Sequence, residues 1–511
     1  MQRITRWIRS NKIEFIILVV ILLVSAFLRL YRIDEYMTFL GDEGRDVIVV
    51  RRLLVNFDPI LIGPGTSIGN MYLGPLYYYM MAPALALAKL SPVGPVVQIA
   101  ILGVATVGFL WFIAREWFGK IAAIVAASLY TVSPVVIVYA RSSWNPNIMP
   151  FFALLCIYSI WRVWRHHEWR WLVALGISYA FVLQSHYLGL LLVPTLGLFW
   201  LLTFKEVRNS KLEIRNFTKN SLIGLGIFAI LMSPLFIFDA RHKWRNFQAI
   251  YTFFANRQET LSFRPWNAIP ELWPIWQEKF VTRFMGGMNE EAGLVLASII
   301  FIGSIYLVIK GWRTISQFSL SLILIWVGIG LLGLGLYKQE IYDHYFGFMF
   351  VAPFLLLGAI AQQFSIGRLL KILVFGGIIF LVWINLSVTP IRYSPQRQLQ
   401  RTQNVAQKIA DEAGGKLFNL AVLAERNYED AYQYFLEWWR EPVGDIDPLR
   451  YEETVAEQLF VVCELPPDKC DPVHNPKAEI TVFGWSKVEA EWDVVGIRVY
   501  KLVHNPTGNP Q

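Results

Sequence analysis

Apolar residues come in long unbroken runs, and their spacing sets the expected architecture. A helix that crosses a hydrocarbon core of about 30 Å needs about 20 mainly apolar residues. Such runs cover 13–30, 94–114, 121–140, 148–164, 221–238, 292–309, 315–337, 345–366 and 372–389. Residues 171–204 form one further uncharged run. As a single helix it would be roughly 50 Å long, so it is split at Gln184-Ser185-His186 into two, and about eleven spans are expected. The stretch 74–88, GPLYYYMMAPALALA, is short and holds Pro75, Pro83 and the cluster Tyr77, Tyr78 and Tyr79. It is expected to lie at the membrane interface. From about 390 charges return and no run is long enough to span. There KLFNLAVLAE (416–425), LFVVCEL (459–465), EITVFGWS (479–486) and DVVGIRVYKLV (493–503) read as strands. QRQLQRTQNVAQKIADEAGG and NYEDAYQYFLEWW read as helices, the first ending at Gly414-Gly415. The expected fold is a polytopic α-helical membrane domain over 1–390, followed by a soluble α/β domain over 391–511.

Composition supports that pattern. Of 511 residues, 55% are apolar and 16% charged, against ~25% charged in soluble proteins. Aromatics reach 15%, with 20 Trp and 22 Tyr, the excess expected where rings sit at two membrane interfaces. The formal charge of +8 lies mostly in short loops between apolar runs, so nucleic acid is not an expected partner. Cytoplasmic loops of membrane proteins are rich in Lys and Arg. Eleven spans put the N-terminus and the basic loops 114–120, 161–170, 205–219, 310–313 and 367–371 on one side. The same assignment puts 32–93, 141–147, 239–291, 338–344 and the tail on the other. The expectation is a multi-pass protein of the plasma (inner) membrane, N-terminus cytoplasmic and tail domain extracytoplasmic. No short h-region with a small-residue cleavage site follows the N-terminus, so the first run is read as a retained span. Of three Cys, Cys463 and Cys470 are close enough in sequence to pair. No P-loop or CxxC motif occurs, which argues against nucleotide hydrolysis.

The informative polar clusters share the expected outer side. FLGDEGRDVIVVRRLL places Asp42 and Glu43 between Gly41 and Gly44. Adjacent carboxylates there would supply a general base, with the glycines letting a substrate approach the backbone. An acidic loop opening a solvated helix is the plain alternative. Arg141, beside Ser142-Ser143-Trp144-Asn145, would clamp a phosphate or sugar, or else snorkel to water. His186 interrupts an apolar run and faces a cavity or a turn reaching water. The loop DARHKWRNF is basic on a side where basic loops are disfavoured, so Arg241 and Lys243 suggest an anionic partner such as a lipid phosphate. Trp266, Trp273 and Trp276 read as an interfacial belt.

A first outer loop opening with a DE pair, then a basic helix, then GPLYYYMMAPALALAKL, resembles the GT-C glycosyltransferases that use lipid-phosphate-linked sugars. That branch includes protein O-mannosyltransferases and the aminoarabinose and mannosyl transferases of bacterial envelopes. The resemblance also takes in AREWFGK, SPVVIVYARSSWNPN and HYFGFMFVAP, and as an architecture it covers about residues 10–390. It implies that Asp42 is the catalytic base and Glu43 its partner, with Gly74-Pro75-Leu76-Tyr77 opening a helix on the membrane surface. The family often carries an acidic residue where this chain has Asn145-Pro146-Asn147. Asn145 can bind a sugar hydroxyl or a metal but cannot act as a base. An Arg-Tyr pair of the family, facing the lipid phosphate, is matched here by His344-Tyr345 before Pro353, with Lys338 as a further source of positive charge.

The expected activity is transfer of a sugar from a polyprenyl-phosphate donor to a glycan, lipid or protein acceptor, by inverting displacement. Asp42 and Glu43 are the expected catalytic residues. Arg141, Lys338, His344, Arg241 and Lys243 would bind the donor phosphate, and Asn145, His186 and Tyr345 the substrate. The cofactor is left open, a divalent cation at Asp42, Glu43 and Asn145 being one candidate. Membrane lipids are the other expected partner. The rivals are a transporter or flippase of lipid-linked saccharides and an inactive relative that binds envelope polymers.

Overall fold

The computed structural model describes residues 2–66, 71–256, 260–262, 264–310, 315–365 and 367–505. Among them, eight helices are long and apolar enough to cross a membrane: Lys12–Leu30, Val93–Trp117, Asn145–His166, Tyr187–Val207, Lys211–Arg241, Glu290–Lys310, Ser316–Gly335 and Arg368–Ser387. A ninth is a pair, Asp343–Met349 and Ala352–Phe364, bent by 58°. Two further expected runs form shorter apolar helices, Lys120–Val132 and Trp171–Ser185. The run 121–140 is cut at Pro134, whose ring pushes Ser133 out of the helical region (ψ 120°), leaving Lys120–Val132. The run beginning at 171 stops at Ser185, where His186 turns extended. Leu76–Leu87 is 12 residues long, roughly 18 Å of helix, too short to cross. The basic loop 310–313 lies, beyond Lys310, outside the described residues.

The surface of these helices is inverted relative to a soluble protein. Along Lys12–Leu30, Ile13, Ile16, Val20, Leu23 and Phe27 are exposed, whereas Ile21, Ser25, Leu28 and Arg29 are buried. Spacings of three and four place the exposed set on one face. Such a stripe of large apolar side chains calls for lipid, not water. The chain is a multi-pass membrane protein. At the end of the bundle remote from the tail, buried Glu14 pairs with Arg115 and, at 3.5 Å, with Lys120.

After Ser387 the chain enters the tail, an α/β unit with a four-stranded sheet. Its strands are β1 (Asn419–Leu423), β2 (Gln458–Cys463), β3 (Ser486–Val494) and β4 (Ile497–His504), in the order β1-β2-β4-β3. β1 and β2 are parallel, with Val422 opposite Val462, and the remaining pairs are antiparallel. The expected strand 479–486 is instead mostly the helix Ala478–Phe483. The spacing of Ile480 and Phe483 puts both on one helical face, in the core with Leu459, Val461 and Leu502. The expected strand 493–503 is divided by a turn at Val495-Gly496, both with positive φ, and becomes part of a hairpin.

Successive residues of β1 and β2 point to opposite faces. Ala421, Leu423, Leu459 and Val461 face the 478–483 helix. Leu420, Val422, Phe460 and Val462 face the helices Gln398–Ala413 and Asp430–Trp439. This second core does not stop at the tail. It continues through Phe39, Val47 and Val50 of the first loop and its helix Gly41–Asn56, into Tyr77, Tyr78 and Met81 of the 76–87 helix and Val96 and Ile99 of the 93–117 helix. Tail and membrane domain thus share one apolar core.

Candidate active site

The first loop forms a helix at once because its own side chains satisfy its start. Glu43, at the third position, accepts the Leu40 N–H through Oε2 at 3.0 Å, relieving one of the unpaired amides of a helix N-terminus. Its Oε1 accepts from Ser142 at 2.6 Å. Glu43 is buried, and burial pushes its carboxyl up to about 7, against the pull of the Ser142 and Leu40 hydrogen bonds. Asp42 points the other way and is 40% exposed. Its Oδ1 accepts from Arg45 at 2.8 Å and from the Tyr428 hydroxyl. No hydrogen bond from a described residue reaches Oδ2. Arg45 also pairs with fully buried Asp46 at 2.7 Å. Burial draws the guanidinium down, and Asp46 and Asp42 more than reverse this, so it is held above its ordinary value.

Asp42 and Arg45 form one wall of a cavity of about 280 Å³. Residues 64–66 and Leu73 of the same loop, Trp144 and Asn145, His186 and Tyr187, and Tyr342, His344 and Tyr345 line the rest of it. Five of the expected site residues, Asp42, Asn145, His186, His344 and Tyr345, therefore meet at one place. Asn145 is buried and donates to the Ser185 carbonyl at 2.6 Å, which leaves its amide oxygen as acceptor. His186 accepts the Leu188 N–H on Nδ1 at 3.2 Å, so a neutral ring carries its proton on Nε2. The His344 ring lies 4.6 Å from both the Trp144 and Tyr345 rings and 5.5 Å from His186. These rings sit where the apolar runs break, at His186 and at the start of the bent pair.

The other expected residues stand elsewhere. Arg141 is buried, but it donates to the carbonyls of Arg29 (3.2 Å) and Tyr31 and lies over the Tyr36 ring at 5.0 Å. It closes the C-terminal end of the first span, a helix end whose carbonyls need donors, and it does not line the cavity. Arg241 and Lys243 are exposed in a turn held by Asp239, which accepts the N–H groups of Asn246 (2.7 Å) and Phe247 (3.1 Å). Lys338 is exposed and its backbone pairs with Thr260. Glu43 lies behind the wall, its oxygens engaged by Ser142 and Leu40. No group of three or more His, Cys, Asp or Glu side chains that could hold a metal ion occurs among the described residues.

Gly41 and Gly44 serve a close approach, but by the tail rather than by a substrate. A Cβ on Gly41 would lie 2.5 Å from the Tyr428 ring, and one on Gly44 2.3 Å from the Ala431 nitrogen. Asn427 Oδ1 accepts the Gly41 N–H at 2.8 Å. Tyr428, Tyr342, Trp144 and Arg45 were not anticipated. Arg45 carries a readable signal, being three residues after Asp42 on a helix. Tyr428 carries none.

The chain has an ArnT-like fold, membrane helices followed by a small four-stranded sheet. Residues 73–238 match the family model for dolichyl-phosphate-mannose-protein mannosyltransferases. The structure superposes over 97% of its length on 99% of ArnT from Cupriavidus metallidurans bound to undecaprenyl phosphate, with a TM-score of 0.61 at 14% identity. The apo form of that ArnT gives 0.57 at 13% identity over 98% of this chain and 100% of that one. The archaeal oligosaccharyltransferase AglB from Archaeoglobus fulgidus, in complex with an inhibitory peptide and a dolichol-phosphate, gives 0.52 at 13% identity, over 99% of this chain and 75% of AglB. No curated protein sequence matches the chain.

Proposed function

We propose that the protein is a membrane glycosyltransferase that moves one sugar from a polyprenyl-phosphate donor to an acceptor hydroxyl on the extracytoplasmic face. The observation that carries this reading is Asp42 on the wall of a cavity of about 280 Å³, with Oδ1 occupied and Oδ2 open. Oδ2 takes the proton of the acceptor hydroxyl as its oxygen bonds to the anomeric carbon. The bond from that carbon to the phosphate oxygen breaks, the electron pair leaves with the lipid phosphate, and the configuration inverts. The leaving phosphate meets His344, Tyr345 and the Nε2–H of His186, which line the same cavity, and Asn145 offers an amide oxygen to a sugar hydroxyl. Glu43 supports the site from behind by fixing the start of the 41–56 helix against Ser142. The activated sugar arrives on lipid, so no nucleotide-binding fold is needed.

The orientation that fits is the one that collects the basic loops in the cytoplasm, with residues 1–390 in the plasma membrane and the tail outside. A transporter fits less well, because the ionisable groups that line the cavity, Asp42, Arg45, His186 and His344, gather at one site beside the tail.

The test is transfer in isolated membranes or nanodiscs with labelled undecaprenyl-phosphate-linked sugars, mannose first, because the 73–238 match is to mannosyltransferases. Asp42→Asn keeps shape and hydrogen bonding but cannot accept a proton. It should lower the rate at saturating donor by about 10²–10⁴. Parental transfer by that variant would remove Asp42 as the base.

A further inference from the structure

The residue touching Asp42 most closely from outside the membrane domain belongs to the tail. We infer that Tyr428 is a positioning residue for Asp42, so that the tail domain completes the catalytic site and does not merely accompany it. This rests on the reading of Asp42 as the base.

Three observations point the same way. The Tyr428 hydroxyl and Arg45 both donate to Oδ1 of Asp42, which restrains the carboxylate and leaves Oδ2 without a hydrogen bond from a described residue. Tyr428 is itself held. Asn427 Oδ1 accepts the Tyr428 N–H at 2.9 Å and the Gly41 N–H at 2.8 Å, so one amide oxygen joins the tail loop to the first residue of the 41–56 helix. The amide nitrogen of Asn427 donates to Glu464 at 2.6 Å. Glu464 directly follows Cys463, which is bridged to Cys470, and its Oε1 also accepts from Tyr432 at 2.5 Å. The chain of contacts thus runs from a covalently closed loop of the tail, through Glu464 and Asn427, to both oxygen donor and backbone around Asp42. Finally, Gly41 and Gly44 flank the DE pair and leave room only for the 427–431 segment.

Holding a carboxylate in one rotamer matters because misplacement of a reacting group by about 1 Å can cost on the order of 10² in rate. Arg45 alone cannot do this, since it is shared with Asp46. The acceptor must then approach Oδ2 from the cavity side.

The experiment compares Tyr428→Phe, and 3-fluoro- and 3,5-difluorotyrosine at 428, in the full chain reconstituted in nanodiscs. The donor is the undecaprenyl-phosphate sugar that the parental protein uses. Tyr428→Phe should lower kcat roughly ten- to hundredfold with donor KM within about twofold, because the phosphate end of the cavity is untouched. The fluorotyrosines keep every packing contact and make the phenol a stronger donor. They should lower kcat stepwise as electron density is drawn from Oδ1. A residue that only packs would give a flat fluorine series. Parental kcat in Tyr428→Phe, or a flat fluorine series, overturns the inference, and inactive Asp42→Asn beside either result leaves the base assignment standing. Active Asp42→Asn instead rejects the base assignment itself. If Tyr428→Phe does not fold, the fluorine series decides.

Discussion

Gly44→Ala isolates the junction between the first loop and the tail. The methyl group would lie 2.3 Å from the Ala431 nitrogen, 2.4 Å from its Cα and 2.5 Å from the Asp430 carbonyl carbon. These are backbone atoms of a helix and cannot rotate aside. Ordinary contact is roughly 3.5–4.0 Å, so the 430–439 helix must retreat from the 41–56 helix by about 1 Å. Overpacking of this kind costs about 1–3 kcal/mol. Replacing glycine by alanine inside a helix returns about 1 kcal/mol, and the net loss is expected to be up to about 2 kcal/mol. The local consequence is larger than the global one, because a retreat of that size breaks the Tyr428 to Asp42 hydrogen bond. Hydrogen exchange should rise at 41–50 and 427–439 while the spans stay protected, and kcat should fall with donor KM unchanged. Gly376→Ala is the control: in the 368–387 helix its methyl group meets nothing within 4 Å, so propensity alone should leave it neutral or slightly stabilising. A Gly44→Ala protein as stable, as protected and as active as the parent would refute the reasoning.

Further outcomes follow from buried groups. Burial raises Glu43 from 4.5 to about 7, so the folded state favours its protonated form; the resulting stability is full below about pH 4.5 and is lost as pH rises through about 7. Glu43→Gln should remove up to about 3 kcal/mol of that pH dependence, read as a flatter melting temperature between pH 5 and 8; an unchanged slope would show that Glu43 is not its source. Arg141→Ala leaves the carbonyls of Arg29 and Tyr31 without their donor and should cost about 1–3 kcal/mol for each, with donor KM unchanged in the folded fraction. A raised KM at parental stability would restore Arg141 to the phosphate. Cys463–Cys470 closes a short loop beside Glu464 and should contribute about 2 kcal/mol. Thiol titration of the denatured protein should find one thiol, Cys156, without reductant and three with it.

The membrane domain was legible because its signal is local. Exposed Ile13, Ile16, Val20, Leu23 and Phe27 fall on one stripe whatever the rest of the chain does. Where a single residue overrides the run, as Pro134 does, apolarity alone misjudged the length of the helix. EITVFGWS misled because a short apolar run suits a strand and a buried helical turn equally, and only the sheet behind Ile480 and Phe483 decides. Within the candidate cavity His186 could be read as a polar residue interrupting an apolar run, whereas Asn145, His344 and Tyr345 were pointed to by the family resemblance. The partners of Arg141 are main-chain carbonyls, which no sequence pattern displays. Tyr428 could not be read at all, being 386 residues from Asp42 in a stretch that looks like an ordinary loop before a helix.

The core shared by the first loop and the tail has a consequence for biogenesis. Phe39, Val47 and Val50 leave the ribosome early, but their partners Tyr434, Phe435 and Phe460 come last. At about 5–20 residues per second, the separation of 386 residues amounts to roughly 20–80 s. Throughout that interval the loop bearing Asp42 has been made without the surface it packs on, exposed to chaperones and proteases. A nascent chain released short of Tyr428 would still carry its spans and be inserted. The order of synthesis thus requires the tail, about the last quarter of this sequence, to fold before the loop bearing Asp42 is held in place.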